Sequence, residues 1–199
     1  MEYENEITVE VDTNYANLLK ILNANNFNLL DDYQINDIYM INDSTDKSLD
    51  ALDLLKNCIL IRDIITKEKE IKMITYKYKK YNNKREIIKQ GKINCHISSL
   101  VEAKELFQQI SYKEFIKIND HIIVFGNVTD EFAIELVNDK HIYIEIEQNC
   151  NRINKKYLDI EEMKMAIKKY NIPIKNNNYF VKKAEIEIHD SSNNKNIIK

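Results

Sequence analysis

Polar and apolar residues alternate over residues 6–11, a period of two that predicts a strand with one buried and one polar face. From Thr13, an N-cap candidate, Tyr15, Leu18, Leu19 and Leu22 recur at helical spacing, and the pair Asn25 and Asn26 predicts where that helix stops. Residues 36–41 read as a second strand. A polar loop, a short helical stretch around Leu49, Leu52 and Leu55, and a strand over residues 58–62 follow. Residues 71–80 and 85–97 predict two long strands joined at residues 81–84, where asparagines tolerate left-handed backbone angles. Ser99 and Glu102 form a capping box ahead of a helix with Leu100, Ala103, Phe107 and Ile110 on one face. Four short strands are expected at residues 115–118, 122–125, 132–137 and 141–147, the last two joined across Asn138, Asp139 and Lys140. Asp159 and Glu162 repeat the capping pattern, Ile160, Met163, Ile167 and Tyr170 form an apolar stripe, and Asn171 before Pro173 ends that helix. Residues 179–188 fit neither period, and the Ser, Asn and Lys that dominate from His189 predict a disordered tail.

The pattern therefore predicts an α+β fold of about eight or nine strands with three or four helices outside a large sheet. One domain is expected over residues 1–188, with a polar tail at 189–199. Closure of so many antiparallel strands into a barrel removes exposed edges.

On residues 141–147, Ile142, Ile144 and Ile146 point one way and His141, Tyr143, Glu145 and Glu147 the other. Carboxylates two apart on a strand stand about 7 Å from one another, a spacing that suits a hydrated Mg²⁺ or the flanks of a phosphate chain. The same residues also suit a solvated outer face. Glu6, Thr8 and Glu10 share a face, as do Thr75, Lys77 and Lys79, and Lys113 with Lys117, while Arg62 closes its own strand. In a closed sheet one lumen holds both kinds of charge; in an open one they are ordinary surface charges.

Composition narrows the chemistry. A formal net charge of −3 gives no drive toward DNA. With 2 Gly in 199 residues no glycine-rich phosphate loop can form, so phosphate must be met by side chains. Cys58, Cys95 and Cys150 are odd in number and lack paired spacing, which fits reduced thiols in a cytoplasmic protein and argues against a zinc site. No apolar run reaches the roughly 18 residues needed to span a bilayer, so no membrane partner is expected. Nothing in the sequence opposes a dimer.

The order of these pieces resembles the CYTH family, the triphosphate tunnel metalloenzymes that include class IV adenylyl cyclases, thiamine triphosphatases and inorganic triphosphatases. The resemblance spans roughly residues 4–185 and rests on Glu6 and Glu10, Gln34-x-Asn-Asp-Ile-Tyr39, Leu60-Ile-Arg62, Thr75-Tyr-Lys77, Phe115-Ile-Lys117 and Ile144-Glu-Ile-Glu147. It implies a closed or nearly closed eight-stranded antiparallel tunnel that binds a triphosphate through Lys and Arg, and Mg²⁺ or Mn²⁺ through acids. Carried over, Arg62, Lys77 and Lys117 hold phosphate, with Lys79 and Arg85 as further candidates. Glu6, Glu10, Glu145 and Glu147 bind metal, and Glu10, Glu145 and Glu147 serve catalysis. Several positions depart from the family pattern: Thr8 replaces the middle acid of the first strand and that motif's Lys is absent, Leu60 replaces an Arg, Asn119 stands where another Arg is expected, and in the further acidic strand, at residues 85–89, only Arg85 and Glu86 are counterparts.

The resemblance points to metal-dependent binding or hydrolysis of inorganic, nucleoside or thiamine triphosphate. The alternatives are cyclisation of ATP and, because at least two cations are missing, a non-catalytic sensor of phosphorylated metabolites or a protein-interaction domain. Processing of RNA 5′-triphosphate ends is a minor reading.

Overall fold

Four helices begin where the sequence supplies a capping oxygen. Asn14 Oδ1 accepts from the amide of Asn17 and Asp50 Oδ1 from that of Asp53, each at 2.9 Å. Ser99 Oγ accepts from Glu102 at 3.2 Å and Asp159 Oδ1 from Glu162 at 2.9 Å. These caps satisfy amides that helical geometry leaves open. The first helix is capped by Asn14, one residue beyond the expected Thr13.

In the computed structural model, which describes residues 5–81 and 87–196, the elements run β1 (Glu6–Glu10), α1 (Tyr15–Ala24), β2 (Asn28–Asn42), α2 (Ala51–Lys56), β3 (Cys58–Ile65), β4 (Glu70–Tyr81), β5 (Ile87–His96), α3 (Leu100–Gln109), β6 (Tyr112–Gly126), β7 (Glu131–Val137), β8 (His141–Glu147), β9 (Asn149–Cys150), β10 (Lys155–Lys156), α4 (Ile160–Lys169) and α5 (Lys183–Asn196). The fold is α+β, with an eight-stranded antiparallel sheet in the order β1-β8-β7-β6-β2-β3-β4-β5.

Two strands exceed their sequence patterns. β2 starts at Asn28, eight residues before the expected 36, and β6 is one strand where two were expected. Asn119, Asp120 and His121 look like a turn because they are polar and consecutive. In the structure Asp120 and His121 stay in the ladder opposite Val137 and Leu136, and His121 Nε2 lies 2.7 Å from Asp32 Oδ1. The ladder to β7 pairs the backbone of Asp120 and His121, and Asp32 of β2 meets the His121 ring, so the strand does not need to break.

The chain divides into two compact units, the first built from residues 35–119 and the chain from Lys182 onward, the second from the chain through Gln34 and residues 120–181. In the first, α3 lays Ala103 and Phe107 on Met40 and Ile61, with Ile59 and Ile74 beside them. Helix α5 packs on α2 and extends through residues 189–196, over most of the stretch expected as a tail. Tyr78 stands opposite Gly91 in the ladder and its ring lies over the glycine, where a Cβ would press on the hydroxyl and force the ring to shift.

In the second unit, the apolar faces of β1, β7 and β8 meet α1 and α4. Ile7, Val9, Leu18, Leu22, Phe132, Ile144 and Ile167 are at most 1% exposed. Each such burial contributes about 1.5–3 kcal/mol. Phe27 stacks on Phe132 at 5.0 Å and takes the edge of Tyr170 at 4.9 Å.

Beside this core, the β6–β7 loop carries Asp130, 2% exposed. Its carboxylate accepts from the hydroxyls of Tyr157, Tyr170 and Thr129 and from the ammonium groups of Lys155 and Lys169, all within 3.1 Å. Burial opposes ionisation, but Tyr170, Lys155, Thr129 and Tyr157 outweigh it and hold the carboxyl well below the usual range. Among the described residues no helix is long and apolar enough to cross a membrane.

Replacing Asp130 by Asn should cost about 3 kcal/mol in urea unfolding at pH 7, since five donors converge on one charge. Because the folded-state pKa is depressed, Asp130's contribution is complete above the unfolded value of about 3.9 and is lost as pH falls through the folded one. The gap between wild type and Asp130→Asn should therefore narrow steadily below pH 4, and a gap independent of pH would refute the assignment.

Candidate functional site

The ladder of β1, β8 and β7 fixes which charges share a face. Glu6 stands opposite Glu147, Thr8 opposite Glu145, and Glu10 opposite Tyr143. Glu145 in turn faces Ala133, and Tyr143 faces Glu135. Residues opposite one another in a ladder lie on the same side of the sheet. With Ile7, Val9, Ile134, Ile144 and Ile146 committed to the core, Glu6, Glu10, Glu131, Glu135, Glu145 and Glu147 fall on the other, polar face. Glu131 and Glu135 are buried there, at 8% and 2% exposure, whereas Glu147 is exposed.

Several of these carboxylates already have partners. Glu10 Oε1 lies 2.9 Å from His141 Nδ1 and accepts from Lys175 Nζ at 2.7 Å. Burial raises its carboxyl, yet Lys175 and His141 together bring it below the usual range. Thr8 Oγ1 donates to Glu145 Oε2 at 3.4 Å. Arg152, in the turn between β9 and β10, reaches Asp31 at 2.6 Å and Glu131 at 3.3 Å. Tyr33 senses this collection: burial pushes its hydroxyl up to about 12, Arg152 opposing and Glu145, Glu135 and Glu147 adding to the rise.

Such a face attracts a cation. Among the described residues no three His, Cys, Asp or Glu side chains are grouped closely enough to cage an ion. Mg²⁺ is ordinarily held by one or two carboxylates and keeps several waters, so Glu145 with Glu147, or Glu147 with Glu6 opposite, is a donor set that fits it.

Cations predominate on a face of the first unit. Arg62 on β3 forks onto Asp37 of β2, Nε to Oδ1 at 2.7 Å and Nη2 to Oδ2 at 2.6 Å, with both side chains largely buried. Lys77 on β4 shares its face with Thr75 and stands directly opposite Lys92 of β5. Lys79 follows two residues on, in register with Gln90, and Arg85 lies outside the described residues. Lys117 on β6 is half exposed and paired with Glu114 at 3.1 Å, an acid that also takes Lys104 at 2.7 Å.

The structure thus brings Glu6, Glu145 and Glu147 onto one face with Glu10, and gives Arg62 and Glu10 specific partners. Sequence reasoning quoted Asp37 within a motif but gave it no role, and it missed Arg152, Glu131, Glu135 and Lys92. For Lys92 a signal existed, since Lys92, Asn94 and His96 alternate with Ile93 and Cys95. Cys58 and Cys150 are buried thiols raised to about 12 by that burial, chemically quiet groups.

No family model and no curated protein matches the chain. Solved structures do. The PH1819 protein of Pyrococcus horikoshii aligns over 94% of this chain and 99% of its own, with a TM-score of 0.65 and 15% identity. A proposed adenylate cyclase from Vibrio parahaemolyticus aligns over 93% and 97%, with a TM-score of 0.60 and 11% identity. HpAC1 from Hippeastrum, for which a dominant triphosphatase activity is stated, aligns over 94% and 96%, with a TM-score of 0.60 and 12% identity. The chain has the CYTH-like fold of these proteins, and at such identities the likeness is one of fold.

Arg62→Ala strands Asp37, itself 6% exposed, without its fork. Urea unfolding should show a loss of about 3–5 kcal/mol, with part recovered when Asp37→Ala is added. An unchanged midpoint in the single variant would mean that the pair has no structural role.

Proposed function

We propose that this protein binds the phosphate chain of a triphosphate-containing small molecule together with Mg²⁺ or Mn²⁺, and hydrolyses it. The observation that carries the reading is the acid face of β1, β7 and β8, where six carboxylates lie on one side of three strands and three of them, Glu135, Glu145 and Glu147, act on Tyr33. Like charges placed opposite one another, as Glu6 and Glu147 are, destabilise a ladder, and a divalent ion reverses that penalty. The fold likeness to HpAC1 supports the same substrate class. Closure of the sheet into a tunnel is part of this proposal.

Arg62, Lys77, Lys79, Arg85 and Lys117 are the groups assigned to phosphate oxygens; Glu6, Glu10, Glu145 and Glu147 are assigned to the ion. When bound, a divalent ion supplies Lewis-acid polarisation of the phosphoryl group. Glu145 and Glu147 orient a water whose oxygen forms the new bond to the terminal phosphorus as the bridging P–O bond breaks, and a carboxylate takes up the water's proton. Glu10, tied to His141 and Lys175, holds the end of this face in place.

A second reading is binding without turnover. It is favoured by the partners that Arg62 and Glu10 already have, each neutralised by an opposite charge.

Calorimetric titration of inorganic triphosphate with and without Mn²⁺, followed by phosphate release on the same sample, tests these readings. Metal-dependent binding is expected, and Glu145→Gln with Glu147→Gln should abolish metal-dependent phosphate release while leaving the circular dichroism spectrum unchanged. Full release by that variant would remove both carboxylates from the mechanism. Cyclic AMP from ATP, in place of free phosphate, would redirect the proposal to cyclisation, and binding without either product would establish the second reading.

A further inference from the structure

We infer that a cleft in the second unit, lined by none of the acid-face carboxylates, binds an uncharged, hydroxyl-rich small molecule of the mono- or disaccharide class. The inference does not rest on the triphosphate reading. The cleft, of about 810 Å³, is walled by the end of α1, the start of β2, the β6–β7 loop, the β9–β10 turn and the end of α4, all segments of that unit. Its size is that of a small-molecule site. Asn127 Nδ2 donates to the carbonyl of Asn25 and to Tyr170 Oη, each at 3.1 Å, and so ties the β6–β7 loop to α1 and α4. Lys169 Nζ donates to Thr129 Oγ1 at 3.0 Å and to Asp130 Oδ2 at 3.1 Å. At Gly126 a Cβ would press on Leu30, so the bare backbone lets Leu30 and Ile153 lie against it. On this braced loop Val128 is nevertheless 99% exposed, and Leu30 is 40% exposed. A ligand resting there buries apolar surface without first having to order the loop.

Charge narrows the class of ligand. Among the described residues no Asp or Glu lines the cleft, and the one charged group that does, Lys169, is already matched by Asp130. The hydrogen-bonding groups left open are neutral amides. Asn25 and Asn28 commit Nδ2 to the carbonyls of Ile21 and Asn26, at 2.8 and 3.2 Å, which leaves each an oxygen able to accept. The Asn26 side chain makes no hydrogen bond among the described residues. Hydroxyl groups donate and accept, and so suit a carboxamide lining, while the C–H faces of a sugar suit Leu30, Val128 and Ile153. The competing ligand is a flat nucleobase, which is ordinarily held by stacking on an aromatic ring. Tyr170, the aromatic residue of this lining, is 6% exposed and its ring is engaged by Phe27 and Phe132, so it offers no platform.

Amide NMR spectra of the full chain test the inference, with glucose, trehalose, adenosine and inorganic phosphate added separately at millimolar concentration. A sugar should shift the amides of Asn26, Asn28, Val128 and Thr129 saturably. Asn26→Gly removes the carboxamide yet keeps the left-handed backbone that Asn26 adopts at φ 59°. It should weaken sugar binding about fivefold, the loss of one neutral hydrogen bond, and Val128→Ser, at an exposed position, should weaken it as well. Shifts of these amides by adenosine with none by a sugar would make the cleft a heterocycle site, and shifts by phosphate alone would assign it to anions; either overturns the inference. So does the absence of saturable shifts with every probe, or sugar binding that neither variant weakens. Glu145→Gln with Glu147→Gln should leave the sugar shifts unchanged, which keeps the outcome separate from that of the triphosphate titration.

Discussion

Strand register is the constraint on which the second unit depends. β8 carries isoleucine and polar residues in strict alternation, and its pairing with β1 and β7 sends Ile144 and Ile146 into the core and Glu145 and Glu147 out of it. A slip of one residue would put two carboxylates against Phe132 and Ile134, at a desolvation cost of several kcal/mol per ion. The hydrophobic core and the acid face are therefore enforced by the same alternation. Asp130 acts at the end of that ladder, where the β6–β7 loop must reverse the chain: Asn127 Oδ1 accepts from the amides of Thr129 and Asp130, and the Asp130 carboxylate gathers groups from α4 and from the β9–β10 region.

Elements with strong local periodicity were legible in the sequence. The strand at 141–147 and the helices after Ser99 and Asp159 lie where alternation and capping predict them. The first half of β2 was not legible, because Leu29 and Leu30 precede Asp31 and Asp32 without alternation and both leucines are partly exposed. The middle of β6 was hidden by three consecutive polar residues, one of which, His121, finds its partner in Asp32, far away in the chain. The same distinction holds for the candidate site. Glu145, Glu147 and Glu6 could be placed by counting in twos, whereas Arg152 owes its position to Asp31 and Glu131, far away in sequence. Asp37 acquires meaning only once β2 is laid beside β3, and Lys92 only once β5 folds back to bring it opposite Lys77, fifteen residues earlier.

The two faces also differ in how their charges are held. On the Arg62 face one cation is fixed by a bidentate fork, a geometry that lysine cannot supply, so that guanidinium is oriented before any ligand arrives. On the acid face Glu10 is held by Lys175 and His141, and Glu131 by Arg152.

The chain makes its reversals without glycine. Asn26, Asn138, Asn154, Asn171, Asn176 and Asn177 all adopt positive φ, together with Ser111 and Asp139, and no glycine does. Asparagine in the left-handed region accepts a steric penalty that glycine escapes, but its side chain restricts the unfolded chain more than a hydrogen does. The turns are thus more strained when formed and forfeit less freedom in forming. A lineage that writes its bends in asparagine has moved part of the thermodynamic burden of folding from disorder in the denatured ensemble to tension in the native backbone, a trade that a comparison of native contacts alone would never reveal.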